Sequence, residues 1–532
     1  MLPLRGFEDA KPLALILFFL FLTHFPLLHL PYFWDEAGYY IPAARDLFLS
    51  GTLIPHSTPS NAHPPLLMAY LAAWWKIAGY GIVVTRLAML VVSAFTLLGI
   101  FRLARRVANI QVAWGSVVCT AVYPVFFAQS SLAHLDLMAA GLTFWGLASY
   151  FERRNLNMVV WFSLAAMAKE TAILAPLALL AWEVFSLAGL KKWVPDSSDP
   201  YRKRSSDILY LLIPIAVLAF WYAFHYQRTG FVFGNPEFFR YNVQGTMHPL
   251  RIILALLMRL WQTFAYLNLY LLTLATVLAM FRPAVSDSKT NIERNRIAFP
   301  VQFAFLAVTV AYVAAMAVVG GAVLARYMLP IIPLVIIVCV STLWRRVRQW
   351  WAVLACVVLG FVVALFFNPP YGFSPEDNLA YRDYIQLHQH AEQFLETRYQ
   401  LSRVLTAWPA NDELTRTYLG YVGRPLRVVR IENFTVESLL PAAEQPASFD
   451  VALVFSLKYE PPSSSFDGWR LWQEWKTRFF GYHRDVLPDV AAHILGGHVV
   501  YREKRQGQWI AVIELDRIQE AMAGAQNHTA IR

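Results

Sequence analysis

Apolar stretches of membrane-spanning length recur through the first two thirds of this 532-residue chain, at 12–30, 84–101, 111–128, 132–151, 156–168, 171–190, 208–226, 262–281, 299–319, 327–344 and 350–368. About 20 apolar residues in a helix match the hydrocarbon thickness of a bilayer, and in lipid every backbone polar group must be satisfied within the protein. The pattern therefore predicts a polytopic α-helical membrane protein with about 11 crossings. The run 156–168 is short for a span, whereas 250–281 is too long for one and predicts an interfacial helix at its start. Charged residues make up 15% of the chain, against about 25% in soluble domains, so a plain cytosolic enzyme is excluded. The net charge of +10 has to be read against a membrane before a nucleic acid, and no nucleic-acid partner is expected.

The positive charge predicts orientation. Arg5 and Lys11 precede the first apolar run, which is long and has no small-residue cleavage site after it, so it reads as an uncleaved anchor. With the N-terminus inside, the cytoplasmic loops carry Arg102, Arg105, Arg106, Arg153, Arg154, Lys191, Lys192, Arg202, Lys203, Arg204, Arg282, Lys289, Arg294, Arg296, Arg345, Arg346 and Arg348. The opposite side has Arg45, Lys76, Arg86, Lys169, Arg228, Arg240, Arg251, Arg259 and Arg326. The asymmetry follows the positive-inside rule.

Composition changes at Asn368-Pro369-Pro370. This divides the chain into a membrane domain, 1–368, and a soluble α/β domain, 369–532, on the outer face. The latter holds 17 Lys and Arg against 20 Asp and Glu. It reads as a helix over 376–398, β-like runs at 403–406, 426–429 and 451–455, and a hairpin of 497–503 with 508–515. The aromatic run Trp469, Trp472, Trp475, Phe479 and Phe480 is compatible with an interfacial contact or with an amphipathic core helix. Cys119, Cys339 and Cys356 all fall in predicted spans, which argues against disulfides and cysteine metal sites. Two glycosylation sequons, at Asn433 and Asn527, carry meaning only in a eukaryotic lumen.

Unusual ionisable residues gather in the outer loops: Asp35-Glu36, His63-Pro64-Pro65, His134 with Asp136, Lys169-Glu170, then Arg228, Glu237 and Arg240, and Arg326-Tyr327. Such groups at membrane depth are costly unless paired or wet, and so are functional candidates by default; structural ion pairs, such as Asp136 with Lys169, are the competing explanation. Carboxylates with Lys, Arg and His suit transfer from a lipid-linked phosphate donor. A carboxylate such as Asp35 takes the proton of a hydroxyl acceptor while cations stabilise the departing phosphate. Paired acids could also hold a divalent metal, although no spacing specifies one, and no other cofactor is indicated.

The ordered set Asp35-Glu36, His63-Pro64-Pro65-Leu66, Asp136, Lys169-Glu170 and Arg326-Tyr327 resembles the glycosyltransferases of the GT-C fold. Within these it is most similar to the family 39-like group of protein O-mannosyltransferases and lipid A aminoarabinose transferases. The resemblance covers most of 1–370. It implies inverting transfer from a polyprenyl-phosphate sugar to a glycan, lipid or protein acceptor at the periplasmic or extracellular face, in a bacterial inner membrane. It makes Asp35 the general base, with Glu36 and Asp136 as further acids of the site. Lys169, Arg326, Tyr327 and His63 would hold the donor phosphate, His63 standing where the family often has Lys. Glu170, Arg228 and Arg240 are further cavity candidates. A transporter or flippase of a lipid-linked sugar is the alternative; such proteins favour broken spans near the midplane, whereas the polar residues here concentrate at one face. A scaffold or receptor would leave the charged constellation without a purpose.

Overall fold

Between Ala10 and Phe366 the apolar stretches among the described residues fold as helices. The computed structural model describes residues 9–187, 205–286, 292–459, 461 and 468–516. Arg5, Lys191, Lys192, Arg202, Lys203, Arg204, Lys289 and the sequon at Asn527 lie outside the described residues. Two compact units are distinguished by their internal contacts: Met1–Leu28 with Pro42–Phe367, and His29–Ile41 with Asn368–Arg532.

Among the described residues of the first unit, five helical segments are long and apolar enough to cross a membrane: Ala10–Leu27, Ile82–Val107, Ile208–Thr229, Pro249–Met280 and Phe299–Val318. Shorter apolar helices accompany them, among them Leu66–Ala78, Ile110–Val122, Asn155–Ala168 and Trp350–Phe366. Helix Leu135–Phe151 is buried along its whole length, as expected of an all-round apolar helix at the centre of a bundle. It packs on Ile82–Val107 and Asn155–Ala168, and glycine permits the close approach. A Cβ on Gly146 would stand 2.5 Å from the ring of Phe162.

The apolar run 111–128 forms two helices, because Pro124 draws Tyr123 into extended backbone, ends Ile110–Val122 and opens Pro124–Gln129 at its first position. The long run 250–281 is interrupted at Leu267 and Asn268, both at positive φ, between helices Pro249–Phe264 and Leu269–Met280. The Asn268 side-chain amide donates to the Gly360 carbonyl at 2.8 Å. Helix Pro249–Phe264 buries Arg251, Ala255, Arg259, Gln262 and Thr263, while Ile253, Leu257, Leu260 and Trp261 are exposed. That is the polar-inward arrangement of a helix bathed in lipid.

Charge is sorted along this unit. Near one end, Arg102 pairs with Glu152, Arg105 with Asp9, and Arg345 with Glu293. Arg86 and Asp136 lie at the opposite ends of the same helices that carry Arg102 and Phe151. Sixteen residues of helix put those ends about 24 Å apart.

The second unit contains a five-stranded sheet of β1 (Arg403–Thr406), β2 (Arg427–Arg430), β3 (Val451–Phe455), β4 (Gly497–Arg505) and β5 (Gln508–Leu515), in the order β2-β1-β3-β5-β4. β1 pairs in parallel with β2 and β3, while β5 runs antiparallel to β3 and β4. All five residues of β3 are buried, as befits a central strand of apolar sequence. Helix Ala380–Arg398 lies against the β4–β5 hairpin. The aromatic run forms helix Arg470–Phe480 with no buried residue, so it is not a core helix.

The segment 29–41 belongs to this unit. Tyr32 N–H donates to the Leu419 carbonyl and the Tyr421 hydroxyl donates to the Tyr32 carbonyl, both at 3.1 Å. Phe33 and Trp34 meet Tyr384 edge-on at 5.3 and 5.7 Å between ring centroids, and Trp34 meets Trp408 at 4.8 Å.

The Gly146 contact carries a stability prediction. Gly146→Ala forces the Phe162 ring to move and should lower stability by about 1–3 kcal/mol, read as a fall in apparent Tm in detergent. Gly372→Ala, where an added Cβ meets nothing within 4 Å, should leave Tm unchanged.

Candidate functional site

Three buried turns of the first unit converge on Asp136. His134 is the extended residue that opens helix Leu135–Phe151, and it puts Asp136 in the first turn, where the helix dipole favours an anion. Lys169 is the extended residue that closes helix Asn155–Ala168, where the dipole favours a cation. Arg326 and Tyr327 come from the 3-10 turn Ala325–Met328 ahead of helix Ile332–Arg346.

Lys169 Nζ donates to Asp136 Oδ1 at 2.5 Å, and Arg326 Nε lies 3.3 Å from Asp136 Oδ2. Arg326 Nη1 is 3.0 Å from His134 Nδ1, which is also 2.7 Å from Gln129 Oε1. Tyr327 stands at the centre: Lys169 Nζ is 4.0 Å from its ring centroid, and the guanidinium carbons of Arg259 and Arg326 are at 5.4 and 5.7 Å. Arg259 is held there by the carbonyls of Met316 and Leu324 and by Gln262 Oε1. His134, Asp136, Lys169, Arg259 and Arg326 are all buried. Three cations and one carboxylate around a phenol form a preorganised site for an anion, since buried charges act more strongly than wet ones.

A second pair adjoins the first through the chain. His63 Nδ1 lies 3.1 Å from Glu170 Oε2, and Glu170 follows Lys169 directly. Burial opposes ionisation of Glu170, but His63 and Lys169 outweigh it and hold the carboxyl down at about 2. His63 is positioned by a strained neighbour: Ala62 has φ +57°, and its carbonyl accepts from the Trp221 indole at 2.9 Å. Non-glycine residues in this region cost energy and persist where the surroundings impose them.

Asp35 and Glu36 lie on the segment 29–41, described with the second unit. Trp34, immediately before them, has φ +48°. Glu36 is fully buried, and its carboxylate accepts from the Phe33 backbone N–H at 2.8 Å; Asp35 is half-buried. Arg228 and Arg240 are exposed on helices Ile213–Thr229 and Pro236–Asn242 and do not join the cluster around Asp136. A cavity of 460 Å³ opens beside 54–60, His225, Thr229 and Asn235, and none of the cluster residues lines it.

Gln129 and Arg259 join the candidate residues here, and His134, singled out beside Asp136, is brought into contact with Arg326. The legible signal for His134 was its position two residues before Asp136. Arg259 sits two helical turns after Arg251 in an apolar helix, a spacing that places both on one stripe.

Residues 62–199 match the family described as dolichyl-phosphate-mannose-protein mannosyltransferase. No curated protein matches the chain significantly in sequence. The structure is similar to ArnT from Cupriavidus metallidurans bound to undecaprenyl phosphate, with TM-score 0.52 and 13% identity, covering 94% of this chain and 97% of that one. The apo state of the same protein aligns over the same shares with TM-score 0.50 and 13% identity. The chain therefore has the GT-C fold that it shares with ArnT, in an integral membrane protein, and its residues 62–199 are similar to the mannosyltransferase family.

Proposed function

We propose that the protein transfers a glycosyl group from a polyprenyl-phosphate-linked sugar to a hydroxyl acceptor, with inversion, at the periplasmic or extracellular face of a bacterial inner membrane. The observation that carries this reading is the convergence of Lys169, Arg326 and Arg259 on Tyr327 with Asp136 between the first two. The phosphodiester of the donor gains negative charge as its bond to the anomeric carbon breaks and it leaves as the polyprenyl phosphate monoester, and fixed buried cations stabilise that charge without reorganising. The undecaprenyl phosphate bound by ArnT and the lipid-phosphate donor in the family's description support the same donor class. The sorting of basic loop residues to the far end of the helices supports the orientation.

In the proposed reaction the acceptor hydroxyl gives its proton to Asp35 and its oxygen attacks the anomeric carbon from the side opposite the phosphate. The bond from carbon to phosphate oxygen breaks, and the electron pair leaves on the polyprenyl phosphate. Lys169 and Arg326 receive the departing charge. His63, paired with Glu170, borders them. Asp136 keeps the two cations in place and separates their charges. The sugar, the acceptor and the role of the second unit belong to cavity shape rather than to these residues.

Purified protein should move labelled sugar from a synthetic polyprenyl-phosphate donor into a covalent product. Asp35→Asn should lower kcat by roughly 100- to 10,000-fold, the range expected for loss of a general base, with expression unchanged; full activity would remove Asp35 as the base. Transport of the lipid-linked sugar without covalent product would contradict the reaction itself. Asp136→Asn leaves Lys169 and Arg326 without their counter-charge. It should cost about 3–5 kcal/mol of stability, measured as a fall in Tm that undecaprenyl phosphate partly restores.

A further inference from the structure

The second unit contains a polar cluster that the proposed transfer reaction does not use. Among the described residues, His388, Glu392 and Glu413 are the one group of three imidazole and carboxylate side chains whose ligand atoms all lie within 4.8 Å of one another. His388 and Glu392 are four residues apart on helix Ala380–Arg398 and so share a face. Glu413 comes from helix Ala410–Thr415, which follows β1. His388 Nδ1 lies 2.6 Å from Glu413 Oε2 and 3.6 Å from Glu392 Oε1. All three side chains are at most 1% exposed.

The surroundings offer little else to these atoms. The His388 ring stacks on Tyr384 at 4.1 Å and meets the edges of Phe455 at 4.5 Å and Tyr421 at 6.5 Å. Among the described residues, neither Glu392 oxygen has a hydrogen-bond partner, and the same holds for Glu413 Oε1, His388 Nε2 and the Tyr384 hydroxyl. Buried polar atoms are almost always paired, so this concentration of exceptions calls for a missing partner. One imidazole proton can satisfy one carboxylate, leaving the second uncompensated in an aromatic-walled core. A divalent cation removes the repulsion and supplies the partner at once.

We propose that His388, Glu392 and Glu413 bind a divalent cation of the zinc type in the core of the C-terminal domain. One imidazole nitrogen with two carboxylate oxygens suits zinc better than calcium or magnesium, which take oxygen-rich shells. Bonds of about 2.0–2.2 Å to a tetrahedral ion put ligand atoms roughly 3.3–3.6 Å apart. The His388–Glu392 separation already has that value, and Glu413 needs to withdraw by less than about 1 Å. The ion ties helix Ala380–Arg398 to the turn after β1. Through Tyr384 it braces the ring contacts that seat Phe33 and Trp34, directly before Asp35. Its role is structural, and it does not depend on the transfer reaction.

The test uses the full-length protein in detergent, loaded with zinc sulfate and dialysed against a weak chelator, with metal content read by elemental mass spectrometry. Wild type should retain about one equivalent per chain, and Glu392→Gln, which keeps the shape and removes the charge, less than about a tenth of one. Competition with a chromophoric chelator should show affinity lower by more than about 100-fold, the upper end of what losing a mere supporting group costs. A strong chelator should lower the Tm of wild type and leave that of Glu392→Gln unchanged. Glu413→Gln is read in the same way should Glu392→Gln fail to fold. Wild type that retains no zinc, or zinc retained equally by wild type and variant, overturns the proposal.

Discussion

The Asp136 carboxylate, held between Lys169 and Arg326, is the contact on which the candidate site of the first unit depends. Two cations on either side of one buried carboxylate repel strongly where the dielectric is low. Asp136 lets both remain charged, and the helix ends carrying Asp136 and Lys169 add dipoles of the right sign. The pairing is also asymmetric. Tyr327 gathers Arg259 as well, so the site is arranged around positive charge. A purely structural bridge would need only one cation per acid.

Much of this was legible in the sequence because lipid imposes simple rules. Apolar runs of about 20 residues become helices, and the polytopic helical fold with a C-terminal sheet is the one observed. Strands 403–406 and 451–455 coincide with the β-like runs, since short β-branched and apolar segments between turn residues leave few alternatives. The split of 111–128 was foreseeable from Pro124, and the excess length of 250–281 announced a break in that run, but not its place at Leu267 and Asn268, since neither residue is a strong breaker. It depends on a tertiary contact, the bond from Asn268 to the Gly360 carbonyl.

The candidate site was legible by type and illegible by partnership. Asp136, Lys169, Arg326 and Tyr327 stood out as ionisable or amphipathic groups in apolar surroundings, and the structure brings them together. Arg228 and Arg240 stood out by the same criterion yet remain exposed, because composition reports which residues are unusual and not which way their helices face. Arg259 was masked by its apolar neighbours. The membership of 29–41 in the second unit was equally invisible, since it arises from aromatic contacts with Tyr384 and Trp408, at least 350 residues away in the chain. Positive φ at Trp34 and Ala62, each next to a candidate motif, marks positions where the fold overrides local preference.

The central claim is that the buried cations exist to hold a lipid-linked phosphate, and its most direct measurement is the affinity of purified protein for undecaprenyl phosphate, by native mass spectrometry or calorimetry. Arg326→Met in combination with Lys169→Met should weaken that binding by roughly 100-fold or more, about 1.4 kcal/mol for each tenfold, with the fold intact by circular dichroism. Affinity equal to wild type in that folded double variant would contradict the account.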